Sequence, residues 1–183
     1  VVIDENASVL QPSARVEFPW PDEPRRSEDT LACLIGSNWI PAASFFMRTA
    51  VLREEGGYAE DLFYEDFELL TRLAARYGFT YTEEPLVAVR RLATSLGAVG
   101  FAHDSPRFVR SMFAALRNAE HGTSAAARGL ARSHRWELTK RAARIGMPLR
   151  EVLAMFQDSW RGAATPAHAA VHLARMLGQR VGS

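Results

Sequence analysis

From residue 104 to the end, the chain is divided so regularly by helix starts and stops that little but helix fits between them. Ser105-Pro106 is an N-cap followed by proline at the first helical position. Phe108, Met112, Ala115, Leu116 and Ala119 then line one side. Gly122 breaks that helix, Ser124 can start the next, and Met147-Pro148 interrupts again. Leu149, Val152, Leu153, Phe156 and Trp160 form an apolar stripe, and Thr165-Pro166 opens a last helix through about Leu177.

The first hundred residues have a different character. Pro12, Pro19, Pro21 and Pro24 preclude regular helix, so residues 11–30 read as a long exposed loop that shapes a binding site. Residues 31–48 are mostly apolar, and Ala43 to Met47 reads as a buried strand. Thr49 can cap a short helix from Ala50 to Glu55, which Gly56-Gly57 ends, because glycine accepts the left-handed C′ conformation. A second helix is predicted from about Asp66 to Tyr77, with Phe67, Leu70, Ala74 and Tyr77 on one face. Phe79 to Thr82 and Leu86 to Arg90 are strand candidates. The chain opens on Val1-Val2-Ile3, a strand already under way without an initiating Met, so a missing N-terminal portion is expected.

Charge divides at the same place. Residues 1–90 hold sixteen acidic and eight basic side chains; residues 91–183 hold five acidic and fourteen basic ones, and all five histidines. This asymmetry suggests two regions, the second facing an anionic partner. The single cysteine, Cys33, excludes an internal disulfide and fits a reducing setting. No stretch approaches the roughly 20 apolar residues that span a bilayer.

The residues with the most chemical content lie between 38 and 95. In order they are Asn38, Ile40-Pro41, Ser44, Arg48, Gly56-Gly57-Tyr58, Glu65-Asp66, Arg72-Leu73-Ala74, Gly78, Val89-Arg90 and Ser95. Spacing alone favours a modest reading of the Glu65-Asp66 doublet. Asp is a preferred N-cap, and Asp66 stands where its helix should begin. Arg90 and Arg91 have two readings, contact with a diphosphate or pairing with Glu83 or Glu84. Asn38 and Ser44 either touch substrate or satisfy buried backbone groups. Trp39, Tyr58 and Tyr64 either stack on a sugar or pack. His103 reads as a surface histidine or as a group reaching the site from the helical junction.

Taken as an ordered set over about sixty residues, this pattern resembles the acceptor-side, C-terminal half of family 2 glycosyltransferases of the GT-A fold. The resemblance implies an α/β first part over residues 1–100, a partial GT-A-like mixed sheet with flanking helices, followed by an all-α appendage over 101–183. It implies an inverting sugar transfer from a nucleotide-sugar donor to a glycan, lipid or small-molecule acceptor. Asp66 would be the general base and Glu65 would orient the acceptor or tune the pair. Asn38, Ser44, Tyr64 and Arg90 would bind substrate. The family's nucleotide-binding half, with the Asp-x-Asp motif that holds Mg²⁺ or Mn²⁺, has no counterpart in these residues. A divalent metal is therefore expected only in the full-length enzyme, and no transfer is expected from the 183 residues alone.

Such an enzyme is expected in the cytoplasm, at the inner face of the membrane if its acceptor is lipid-linked. Arg128, Arg132 and Arg135 share a helical face by i, i+4, i+7 spacing, with Lys140, Arg141 and Arg144 beyond them. That face suits peripheral contact with an anionic membrane. A solvated helical cap is the plainer reading. Nothing suggests a nucleic-acid partner. The alternative to an enzyme is a non-catalytic interaction module that uses this basic tail.

Overall fold

The computed structural model describes residues 2–3, 6–11, 27–38, 40–80, 82, 84, 86–90, 92–94, 104–163 and 165–181. Seven α-helices are present among them: α1 (Ser27–Gly36), α2 (Thr49–Glu54), α3 (Glu65–Ala74), α4 (Pro106–Arg117), α5 (Ala125–Arg144), α6 (Leu149–Ser159) and α7 (Pro166–Val181). Three strands, β1 (Val2–Ile3), β2 (Val9–Gln11) and β3 (Val89–Arg90), form a minimal ladder in the order β2-β1-β3. β1 is antiparallel to β2 and parallel to β3.

The expected mixed α/β sheet, and with it the partial GT-A-like architecture, is not what forms. Helix makes up 63% of the structure and strand 4%. The reason lies in the segments read as strands. Ala42–Ser44 winds into a 3-10 turn, and the residues after it are extended but unpaired. Phe46 is 77% exposed, so this run is not a buried strand. Of Leu86 to Arg90, only Val89 and Arg90 find a ladder. A β-prone run becomes sheet only where a neighbouring backbone accepts its hydrogen bonds. Part of the expected loop 11–30 is helix, since α1 begins at Ser27; residues 12–26 lie outside the described residues.

Three of the expected side-chain caps are used, whereas Thr49, expected to cap α2, lies inside it, with Arg48 at the N-cap and no side-chain cap bond. Ser105 Oγ accepts from Phe108 N at 3.3 Å, with Pro106 at the first helical position. Ser124 Oγ accepts from Ala127 N at 3.0 Å, and Thr165 Oγ1 from His168 N at 3.1 Å. Helix α2 ends in a Schellman arrangement: Gly56 N donates to Arg53 O and Gly57 N to Leu52 O. Both glycines have left-handed φ, 78° and 76°. Helix α5 ends the same way on Gly146, with Met147 N donating to Ala142 O and the Met147 side chain buried.

One apolar core joins both halves of the sequence. Leu31, Leu34 and Ile35 of α1 and Phe67 and Leu70 of α3 meet Val109 and Leu116 of α4. Ala127, Ala131 and Leu138 of α5, Met147, and Val152 of α6 complete it. Helix α5 is the axis, packed against α1, α4, α6 and α7. It is ringed by neighbours, so it lacks a single apolar face, and its alanines let those neighbours approach closely. The 3-10 turn Trp160–Gly162 presses closest: a Cβ on Gly162 would lie 2.2 Å from the Arg132 carbonyl oxygen. Gly162→Ala is therefore expected to destabilise the fold by at least about 2 kcal/mol. Urea denaturation measures it, and an unchanged midpoint would contradict a tight Gly162–Arg132 contact.

Candidate active site at the start of helix α3

Helix α3 begins at Glu65, with Tyr64 at its N-cap and Glu65, Asp66 and Glu68 in its first turn. Asp66 is thus inside the helix rather than at the N-cap position. Its Oδ1 accepts from Phe67 N at 2.7 Å, so the carboxylate still satisfies one orphan amide of the helix start. Both Glu65 and Asp66 are half-buried. Burial pushes the Asp66 carboxyl above its ordinary value; the Phe67 N–H opposes the rise and the Glu65 charge adds to it.

Three sets of contacts hold this helix start in place. First, Ser111 Oγ of α4 accepts from Phe63 N at 2.9 Å and Tyr64 N at 3.2 Å. Second, Arg72 ties α3 to the Gly-Gly turn. Its Nε and Nη2 each lie 3.0 Å from a Glu68 carboxylate oxygen, while its other donors meet the carbonyls of Glu55 and, at 2.8 Å, Gly57. Third, Asn118 Nδ2 donates to Glu68 Oε1 at 3.0 Å, and Thr71 Oγ1 donates to Ala115 O at 3.1 Å. Glu68 and Thr71 are buried, so these bonds act where water does not compete.

Tyr64 and Asn38 come together. Asn38 Nδ2 donates to the Tyr64 hydroxyl at 3.0 Å, and Asn38 Oδ1 accepts from Ile40 N at 3.1 Å. The Tyr64 ring stacks with Phe67 at 5.1 Å and Phe108 at 5.9 Å. Burial raises the Tyr64 phenol pKa; the Asn38 bond lowers it and the Asp66 charge raises it. Ser44 Oγ donates to Pro41 O at 2.9 Å within its turn. Arg90 stands exposed on β3. So Asn38, Tyr64, Glu65 and Asp66 are gathered around one helix start, whereas Ser44 and Arg90 are placed by local elements of their own. Trp39, Arg91, Ser95 and His103 lie outside the described residues.

Sequence reasoning named Arg72 within the motif but gave it no role. The Glu68 to Arg72 spacing of four was the available signal. Ser111 and Asn118 carried none, since their partners lie more than forty residues away. The tail holds a correction. Arg135 does not share an exposed face with Arg128 and Arg132: it is 1% exposed, paired with Glu120 and, at 3.3 Å, with Asp158. Arg128 donates to Gly122 O at 2.7 Å.

Among the described residues, no group of three His, Cys, Asp or Glu side chains could hold a metal ion, and no helix is long and apolar enough to cross a membrane. No residue here is therefore assigned to the metal that the resemblance implies. Comparison with family models, with curated proteins and with solved structures finds no match to this chain.

Proposed function

We propose that this chain carries the acceptor-activating residues of an inverting glycosyltransferase, with Asp66 as general base. The observation that carries the reading is the state of Asp66. It is a half-buried carboxylate with a raised pKa, in a helix start fastened by Ser111, Arg72 and Asn118. A general base works best when its pKa is moved toward the working pH and its geometry is fixed. The acceptor hydroxyl gives its proton to Asp66 as its oxygen bonds to the anomeric carbon. The bond from that carbon to the nucleoside diphosphate breaks, and the diphosphate leaves with the electron pair. Glu65 keeps the Asp66 proton affinity up, and the Asn38–Tyr64 pair walls the acceptor side. The sugar-transfer class comes from the family pattern between Gly56 and Ser95; the fold lends it no support.

The test uses the gene product that carries these residues, supplied with a panel of nucleotide sugars and with glycan, lipid and small-molecule acceptors. NMR of the product is expected to show an anomeric configuration opposite to the donor's. Retained configuration would remove Asp66 from the base role. Failure to consume any donor would favour the competing reading, a non-catalytic module that works through its basic tail.

A further inference from the structure

Helix α7 carries two histidines one turn apart, His168 and His172, and their rings meet. The two Nε2 atoms are 3.1 Å apart. With metal–nitrogen bonds of about 2.0–2.1 Å, that separation subtends roughly 95–100° at an ion bound to both. Such an angle lies between the right angle of an octahedral site and the wider angle of a tetrahedral one. The ring directions agree with it. Nitrogens facing head-on, as a straight imidazole–imidazole hydrogen bond prefers, would put the ring centroids about 5.4 Å apart. Nitrogens aimed at one shared ion would put them about 4.8 Å apart. The centroids are 4.7 Å apart, the value for convergent rings.

Both rings are held before any ion arrives. Trp136 of α5 is buried, and its ring centroid lies 5.7 Å from that of His172 and 6.3 Å from that of His168, edge to face in each case. Thr165 Oγ1 accepts from His168 N at 3.1 Å and so fixes the first turn of α7. Ligands already oriented by their surroundings lose less freedom on binding.

Ligation needs both Nε2 atoms unprotonated. Partial burial, the largest cause, and the nearby His168, Lys140 and Arg175 lower the His172 pKa, against Glu137, which raises it. His172 is therefore a neutral imidazole at neutral pH. Lys140 and Arg175 also repel a dication, an effect that Glu137 offsets in part, its Oε1 lying 2.6 Å from Lys140 Nζ. Only ions with a strong affinity for imidazole nitrogen overcome that repulsion. Copper leads that order, with nickel and zinc behind it, whereas Mg²⁺ and Mn²⁺ prefer oxygen. No third His, Cys, Asp or Glu joins the pair among the described residues, so water fills the other positions of the ion.

We propose that His168 and His172 chelate a divalent transition-metal ion of the copper, nickel or zinc class on α7. The site is independent of the Asp66 reading, because it shares no residue with that helix start. It is also distinct from the Mg²⁺ or Mn²⁺ that the family resemblance implies.

The experiment uses the full chain without a polyhistidine tag at neutral pH. Zn²⁺ is titrated by calorimetry, and Cu²⁺ is followed by electron paramagnetic resonance. One Zn²⁺ per chain is expected to bind, and the Cu²⁺ spectrum should show coupling to two nitrogens. His168→Gln and His172→Gln should each weaken Zn²⁺ binding at least about tenfold, because losing either imidazole ends the chelate. His134→Gln, on α5, should leave binding unchanged. His168 is exposed, so His168→Gln alone decides if His172→Gln disturbs the packing on Trp136. Absence of Zn²⁺ and Cu²⁺ binding overturns the proposal. So does an affinity unchanged in His168→Gln, or weakened equally by His134→Gln.

Discussion

Asp66→Asn is expected to lower sugar transfer by about 10²–10⁴-fold while leaving the protein at least as stable as before. The two halves of that expectation come from different chemistry. Asparagine keeps an oxygen where Asp66 Oδ1 accepts from Phe67 N, so that bond to the helix start can be retained. A purely structural Asp66 would therefore tolerate the change. Burial penalises the charged carboxylate, so its folded pKa is raised. With the sign worked through, folding favours the protonated form, and the ionised group is a net cost once pH exceeds its ordinary value. A neutral amide removes that cost, so the thermal midpoint at neutral pH should be equal to or above that of the parent. The amide cannot take a proton, so activity should fall. Melting curves and initial rates on the same sample decide the matter. A variant with full activity would leave Asp66 as an acceptor for the Phe67 amide and nothing more.

The second large effect concerns the buried arginine of α5. Removing both carboxylates, Glu120→Gln with Asp158→Asn, should destabilise the fold by about 3–5 kcal/mol, because Arg135 would then keep its charge with no counter-ion. Its Nε already has no partner among the described residues. Arg135→Met should be far milder, about 1 kcal/mol or less, since it removes the charge and roughly keeps the volume. Glu120 and Asp158 are 47% and 32% exposed at their side chains, so water can solvate them once Arg135 is gone. Denaturant midpoints for both variants test this asymmetry. Equal losses would show that packing, not the buried charge, sets the energy.

What could be read from the chain was local chemistry. Ser105, Ser124, Thr165 and Gly56-Gly57 each satisfy backbone groups within a few residues of themselves, and such signals survive in any tertiary setting. The strand at Ala43 to Met47 failed because an apolar run does not specify which backbone will pair with it. Helix α1 was not legible, because its start, Ser27-Glu28-Asp29-Thr30, directly follows a proline-rich stretch that disfavours helix. Arg135 was misplaced because periodicity assumes a helix with one wet face, and α5 is packed on several sides. In the candidate site, the Glu65-Asp66 helix start was legible. The Asn38–Tyr64 bond and the Ser111 and Asn118 contacts were not, since they join residues 26 to 50 apart.

The base role of Asp66 predicts more than a rate. Transfer needs the ionised carboxylate, so kcat/KM should fall toward acid with a midpoint above the ordinary carboxyl value of 3.8. The Glu65 charge is one of the causes that raise that midpoint, so Glu65→Gln should move it to lower pH. The deciding measurement is the pH dependence of kcat/KM for the parent protein and Glu65→Gln. The account predicts an acid limb that shifts downward in the variant. A limb that stays in place, or a rate independent of pH across the carboxylate range, would contradict it.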